Sequence, residues 1–216
     1  ACSSNQANPA ENTDAPVSET VVSDELPVET EAEEIETELI KNGTFDMNTS
    51  YWDKYLSGGF SSPPSVEDGA LHIGITSVGQ VEYGVQLFQD GIPLYNGGKY
   101  KCTFDMRSDV PRRFEFRFQK NGGDYQAYYD EWISITNEMT TYTVEFTMDA
   151  PTDEYARIVF NLGNPMDGQE LDIHHIYLDN VKLELVDDSS MEKVEKTVAP
   201  DIAVDQVGYK TQEQKT

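Results

Sequence analysis

Apolar and polar residues alternate with a period of two in short stretches between Leu39 and residue 186, separated by Gly, Asn, Asp and Pro turns. This alternation is typical of half-buried β-strands. It is clearest in "GKYKCTFDMRS", "RFEFRFQ", "TTYTVEFTMDA" and "YARIVFNLG". The pattern predicts strands near residues 40–47, 66–76, 81–89, 98–107, 112–120, 124–135, 140–149, 155–162 and 171–186.

So many strands within residues 39–186 predict one all-β domain, a β-sandwich jelly roll built of two sheets. In "RFEFRFQ", three phenylalanines share the face that we assign to the core. The opposite face carries Glu115, Arg117 and Gln119, and two interpretations are open. An antiparallel sheet can simply show one polar face to water, or the polar face can bind a ligand.

The segments on either side of this domain have a different composition. Residues 1–38 are rich in Asp and Glu and contain no Lys, Arg or aromatic residue, which predicts a disordered acidic spacer. Residues 187–199 return to linker composition. Residues 200–216 begin another apolar segment, and because a lone strand needs partners, we interpret them as the start of a following domain.

The charge balance limits the partners of the chain. The 216 residues include 40 Asp and Glu against 15 Lys and Arg, a formal net charge of −25. Such a surface repels nucleic acid and anionic membranes, and it favours neutral polymers or cations as ligands. No apolar run in the sequence is long enough for a transmembrane helix.

The two cysteines have different expected roles. Cys102 is in phase with the apolar residues of its strand, so we expect a buried thiol. Cys2 lies in "ACSSN", after a small residue and before serines and a polar stretch. This resembles the start of a mature bacterial lipoprotein with Cys2 as the lipid attachment site, and predicts a cell-surface or secreted protein. The alternative is that the sequence starts at an arbitrary boundary and that Cys2 carries no lipid.

The polar faces of the clearest strands carry amides, arginines and a Phe, with tyrosines close by. A purely solvated face is usually dense in Lys, Glu and Thr instead. Aromatic rings cover the apolar face of a sugar, and planar amide and guanidinium groups bind its hydroxyls in paired hydrogen bonds. The composition of these faces therefore favours an extended polysaccharide as the ligand.

Several short motifs occur in a recognisable order: "NGTFD", "DGAL", "EYGVQLFQDG", "GKYKCTFDMRS", "RFEFRFQKNGGDY", "ARIVFNLG" and "IYLDNVKLEL". The chain from about 40 to 186 resembles a carbohydrate-binding module of family 4, in the broader group with families 9 and 22. The resemblance implies a monomeric β-jelly roll whose concave cleft binds β-glucan chains without catalysis.

The resemblance also implies a set of sugar-binding residues. Two of them are stacking aromatic residues, and the others are polar contacts and floor residues. The set comprises Tyr55 and Tyr125 for stacking, Arg117, Asn121, Arg157 and Asn161 for polar contacts, and Gln86, Phe88 and Asp90 for the floor. Asp90 stands where an Asn is familiar in the family. Packing of Tyr125 at the sheet edge, and of Tyr55 on the loop around Trp52, are the alternatives.

A structural Ca²⁺ ion is a second implication of the resemblance. By position, its ligands would be Thr44 in "NGTFD", Gly69 in "DGAL" and Asp179 in "YLDNV". Carboxylate and carbonyl oxygens are the ligands that Ca²⁺ prefers. Ordinary turn and strand-end hydrogen bonds by Thr44 and Asp179 are the alternative.

The stretch "IAVDQVGYK" resembles the "VNQVGY" opening of the immunoglobulin-like domain that precedes the catalytic domain of many family 9 glycoside hydrolases, with Asp205 in place of the usual Asn. This predicts an attached cellulase-type hydrolase. The described motifs themselves do not predict an enzyme, because hydrolysis needs two facing carboxylates and we place no such pair, although Glu115 and Asp90 are candidates. Xylan as the ligand, or an adhesive β-sandwich of a surface lipoprotein, are the remaining alternatives.

Overall fold

The computed structural model describes residues 38–191, which form β-strands and one 3-10 turn, Glu82–Gly84. The predicted spacer up to residue 37, the following domain and Cys2 lie outside the described residues. Within this part of the chain, no helix has the length and apolar character needed to cross a membrane. The strands are β1 Asp53–Leu56, β2 Phe60–Ser61, β3 Ser65–Glu67, β4 Ala70–Ser77, β5 Val85–Leu94, β6 Lys99–Ser108, β7 Arg112–Gln119, β8 Ala127–Ile135, β9 Thr140–Thr147, β10 Asp153–Asn161 and β11 His174–Asp187.

The strands pair antiparallel in two sheets, which confirms the predicted all-β sandwich. The first sheet has five strands in the order β1-β5-β10-β7-β8. The second sheet has six strands: five in the order β2-β4-β11-β6-β9, and β3, which pairs with β4 off this path. Each strand contributes alternate residues to the space between the sheets, as period-two side-chain geometry requires.

Aromatic residues fill the space between the two sheets. Phe114, Phe116 and Phe118 of β7 are fully buried, and Phe116 packs against Phe104 and Phe160 with ring centroids 5.3 and 5.2 Å apart. The core face of the "RFEFRFQ" strand was therefore predicted correctly. Cys102 is also buried as predicted, and burial raises the pKa of its thiol.

The predicted strand at residues 40–47 is wrong. This segment is irregular, and Asn42 and Phe45 have positive φ angles of 51°, which a strand does not allow. Ile40 and Phe45 are nevertheless buried. The spacing of apolar residues predicted the burial correctly but not the backbone conformation, because an irregular segment can also insert apolar side chains into the core.

A buried arginine–histidine pair ties β7 to β11. Arg112 Nη1 lies 2.7 Å from Nε2 of His174, and Arg112 Nη2 donates to the carbonyl of Gly163 at 2.6 Å. An arginine can only donate, so His174 Nε2 accepts and its proton is on Nδ1, which donates to the Asp172 carbonyl. Burial lowers the pKa of His174 and lowers that of Arg112 to about 10.

This pair predicts a loss of stability in mild acid. The unfolded chain takes up a proton on His174 near pH 6.5, whereas the lowered pKa keeps the folded form neutral. The free energy of unfolding should therefore fall as pH drops below about 6.5, by up to about 1.4 kcal/mol per pH unit from this residue. Urea unfolding of the wild type and His174→Gln between pH 7.5 and 5 checks this. The variant should have the shallower pH dependence, and equal slopes would contradict the account.

Candidate functional site

The register of the five-stranded sheet aligns polar and aromatic residues in rows that cross the strands on its outer face. Neighbours in each row are cross-strand partners, one from each strand. Adjacent strands lie about 4.8 Å apart, so a row across all strands is about 19 Å long. The first row is Tyr55, Gln86, Asn161, Glu115 and Trp132; the second is Asp53, Phe88, Val159, Arg117 and Asp130; the third includes Asp90, Arg157 and Gln119.

A cavity of about 470 Å³ lies over the centre of these rows. Its lining combines three tyrosines, two arginines, two amides and two carboxylates. The lining residues are Tyr55, Glu82, Tyr83, Gln86, Arg117, Gln119, Asp124, Tyr125 and Arg157. The structure thus brings together five of the residues that the sequence assigned to sugar binding, namely Tyr55, Gln86, Arg117, Tyr125 and Arg157.

A chain of hydrogen bonds runs along the first row beneath the cavity. Gln86 Nε2 donates to Asn161 Oδ1 at 2.8 Å, and Asn161 Nδ2 donates to Glu115 Oε2 at 2.7 Å. Asn161 is only 1% exposed, so the structure places it under the cleft floor and not at its surface. Burial raises the pKa of Glu115, and the hydrogen bond from Asn161 partly opposes this rise. Asn161 therefore positions Gln86 and Glu115.

Arg157 is fixed by its neighbours in the third row. Its Nε and Nη2 both donate to the Asp90 carboxylate, the latter at 3.0 Å, and its guanidinium carbon lies 3.8 Å from the centroid of the Phe88 ring. Phe88 is consequently covered and only 9% exposed. Phe88 and Asp90, both assigned to the floor by the sequence, thus orient Arg157 at the cavity wall.

Two polar atoms in the cleft have no partner within residues 38–191. They are Arg117 Nε and Gln119 Oε1, both buried from water. An unpaired buried polar group costs about 1–3 kcal/mol, so such groups are rare outside functional sites. Both residues line the cavity, so one unpaired donor and one unpaired acceptor lie just beneath its surface.

The two predicted stacking residues are exposed at the cavity. Tyr55 is 51% exposed and Tyr125 is 50% exposed. Tyr125 lies in the 120–126 hairpin, where its φ of +52° is unusual for an aromatic residue. The hairpin is closed by a hydrogen bond from Lys120 N to the Gln126 carbonyl, and Arg117 Nη2 donates to the Tyr125 carbonyl at 3.3 Å.

Sequence reasoning missed four lining residues: Glu82, Tyr83, Gln119 and Asp124. Gln119 could have been assigned, because it alternates in phase with Arg117. Glu82 and Tyr83 were predicted to lie in a strand at residues 81–89, but they form the 3-10 turn before β5, so their side chains do not follow the period of two. Their turn packs on Gly163, where an added Cβ would lie 2.4 Å from the Val81 carbonyl oxygen.

Asn121, also assigned to the sugar by the sequence, does not line this cavity. It lies on the other side of the 120–126 hairpin, in a neighbouring groove. The hairpin places Asp124 and Tyr125 on the cleft side and Lys120, Asn121 and Gln126 on the groove side.

The predicted calcium ligands lie at one end of the second sheet. Val181 N donates to the Gly43 carbonyl, which brings the segment of Thr44 to β11, and Gly69 directly precedes β4, a neighbour of β11. Thr44 Oγ1 donates to Asp46 Oδ2 at 2.8 Å, and Asp179 Oδ1 accepts from Asn180 N at 2.7 Å. Burial raises the pKa of Asp179, and the nearby carboxylates of Asp105 and Asp46 raise it further. Within residues 38–191, no group of three or more His, Cys, Asp or Glu side chains could hold a metal. A site here would depend on carbonyl and hydroxyl oxygens beside Asp179, and these hard oxygens fit Ca²⁺.

An open cleft with exposed tyrosines, paired amides and a fixed guanidinium is the type of site that binds carbohydrate. The comparison with protein families agrees. A family model described as a carbohydrate binding domain, CBM4/9, matches residues 37–168. The chain belongs to this family of carbohydrate-binding modules, which are non-catalytic domains.

Individual relatives resemble the same part of the chain. Cellulose 1,4-β-cellobiosidase of Acetivibrio thermocellus is 30% identical over 145 residues, which are 65% of this chain but only 16% of that enzyme. A solved structure described as "CBM4 structure and function" has a TM-score of 0.60 and 28% identity, covering 67% of this chain and 98% of its own. The N-terminal cellulose-binding domain of Cellulomonas fimi β-1,4-glucanase C has a TM-score of 0.54 and 26% identity, covering 68% and 95%.

Proposed function

We propose that residues 39–186 bind single β-glucan chains, such as amorphous cellulose, cello-oligosaccharides or mixed-linkage glucan. Tyr55 and Tyr125 stack on sugar rings. Gln86, Arg117 and Arg157 bind the hydroxyls. The observation that carries this proposal is the cavity that two half-exposed tyrosines line together with Gln86, Arg117 and Arg157.

The choice of glucan is supported by the relatives, since one is a cellobiosidase and another a cellulose-binding domain. The open shape of the cleft suits the interior of a long chain, because the rows cross the whole sheet.

In the full-length protein, we expect the module to target an attached cellulase-type glycoside hydrolase outside the cell. Binding of the module makes the encounter of the hydrolase with its substrate intramolecular, which raises the effective concentration. A lipid on Cys2 would hold the protein at the cell surface, with the acidic segment as a spacer.

Affinity gel electrophoresis against barley β-glucan, hydroxyethylcellulose and xylan tests the proposal. Retardation by the glucans and not by xylan is the expected result. Retardation by xylan alone would keep the binding site but change its ligand, and no retardation by any polymer would refute the proposed function.

The proposal also includes a structural Ca²⁺ held by Thr44, the backbone oxygen of Gly69 and Asp179. Thr44, Gly69 and Asp179 would hold the ion, which would supply positive charge beside Asp179 and its acidic neighbours. The cluster of oxygen groups and the raised pKa of Asp179 support this assignment.

Calcium should therefore raise the melting temperature. A ligand at 100 times its Kd stabilises the folded state by about 2.7 kcal/mol, which corresponds to roughly 5–10 °C for a domain of this size. Differential scanning fluorimetry with CaCl₂ and with EDTA checks this. Asp179→Asn should abolish the difference, whereas the exposed Asp188→Asn should retain it. A wild type with the same Tm in both buffers would contradict the calcium site.

A further inference from the structure

A second groove, of about 420 Å³, lies beside the cleft and is separated from it by the 120–126 hairpin. Its volume is within the range of about 300–1,000 Å³ that is usual for ligand sites. Its side-chain lining contains two tyrosines, two amides, a lysine and a carboxylate. These residues are Tyr128, Tyr155, Asn121, Gln126, Lys120 and Asp153.

The aromatic part of this groove is exposed and held in place. Tyr155 is 70% exposed, more than any of the three tyrosines that line the cleft. Tyr128 packs its ring partly against the core, and its hydroxyl donates to Asp153 Oδ2 at 2.8 Å. One ring is thus available for stacking while the other forms a fixed wall.

The polar part of the groove is free to bind a ligand. Asn121 and Gln126 are exposed, and within the described residues their side-chain amides form no hydrogen bonds. The hydrogen bonds of Gln126 that close the hairpin are made by its backbone N–H and carbonyl groups. Lys120 has only a long contact of 3.9 Å with Asp124. Free amides beside an exposed tyrosine repeat the chemistry of the cleft.

Two irregularities in the sheet shape this groove. The pairing of β10 with β5 shifts register on both sides of Ala156, and the pairing of β7 with β8 shifts between Phe118 and Gln119. The second shift leaves Tyr128 as the extra residue on β8. Bulges re-aim side chains and are common next to binding sites, and here they turn Tyr128 and Tyr155 towards the same space.

We propose that this groove is a second contact site for β-glucan. It holds sugar units of the same polymer that occupies the cleft, or of a neighbouring glucan chain. The inference rests on the proposed function. Its position supports a polysaccharide as the occupant, because Tyr155 precedes Arg157 of the cleft by two residues on β10 and both cavities share the hairpin. Short oligosaccharides fill the cleft alone, whereas polymers also contact the groove.

The test compares a short and a long ligand. Tyr155→Ala and Asn121→Ala are assayed by calorimetry with cellotetraose and by affinity electrophoresis with barley β-glucan, beside Tyr51→Ala as an exposed tyrosine outside both cavities. The groove variants should weaken polymer binding roughly 10-fold through lost multivalent contact, with cellotetraose affinity within about twofold of wild type.

The possible outcomes separate the two proposals. A wild type that binds neither ligand refutes the proposed function. A wild type that binds both, with unchanged polymer binding in the groove variants, overturns only the second site. An equal loss for cellotetraose and polymer also overturns it, because Tyr155 would then belong to the cleft.

Discussion

Replacing Tyr125 by alanine is expected to lower the affinity for soluble β-glucan roughly 30-fold. The ring is half exposed at the cavity, so it is available to cover the apolar face of a sugar. Aromatic residues at the centre of a binding site commonly contribute about 2 kcal/mol or more, which corresponds to this factor. Calorimetry with barley β-glucan checks the prediction.

Tyr51 provides a matched control for this substitution. It is a tyrosine with a positive φ of 71° and 65% exposure, but it does not line the cavity. Tyr51→Ala should therefore change the affinity by less than about twofold, as is usual for a surface substitution. Equal losses in Tyr51→Ala and Tyr125→Ala would mean that neither loss reports on stacking in the cleft.

The substitution Asn161→Asp should lower glucan affinity about 10- to 100-fold at pH 7. It removes the donor that binds Glu115 and sets a second carboxylate about 2.7 Å from a carboxylate whose pKa is already raised by burial. Losing the hydrogen bond from Asn161 and leaving the buried Glu115 carboxylate unpaired costs about 1–3 kcal/mol of free energy, and the repulsion between the two like charges adds to this cost. The side chains of Gln86 and Glu115 would then no longer be held in their positions by Asn161.

The pH dependence gives this variant a distinctive signature. Two adjacent carboxylates raise each other's pKa, so a shared proton restores the hydrogen bond as pH falls. Glucan affinity of Asn161→Asp should recover between pH 7.5 and 5. Asn164→Asp is the control, because it adds the same charge while keeping the acceptor oxygen for Met166 N. If Asn161→Asp kept wild-type affinity at pH 7, the hydrogen-bond chain of Gln86, Asn161 and Glu115 would not be what positions the binding residues of the cleft.

Much of the fold was predictable because the direction of side chains on a strand has a strict period of two. The alternation in β6, β7, β9 and β10 gave both the strands and the correct core face. The same signal cannot show what covers a side chain. Asn161 and Val159 are on the predicted outer face, yet both are buried, next to their cross-strand partners Gln86 and Arg117.

Loops were the least predictable part of the site. Asn121 and Tyr125 are four residues apart in one hairpin, but the turn sends them to opposite sides. Tyr83 reaches the cavity from a 3-10 turn whose position depends on contact with Gly163, a residue distant in sequence. Tertiary contacts of this kind leave no local pattern.

The location of the binding site is tested most directly by NMR, with amide shifts recorded during titration with cellohexaose. The account predicts saturable changes in β5, β7, β10 and the 120–126 hairpin, and none on the outer face of β4, β6 and β11. Saturable shift changes confined to that second sheet would contradict the assignment of the cleft. The absence of any shift change with cellohexaose, at concentrations where barley β-glucan binds, would contradict it as well.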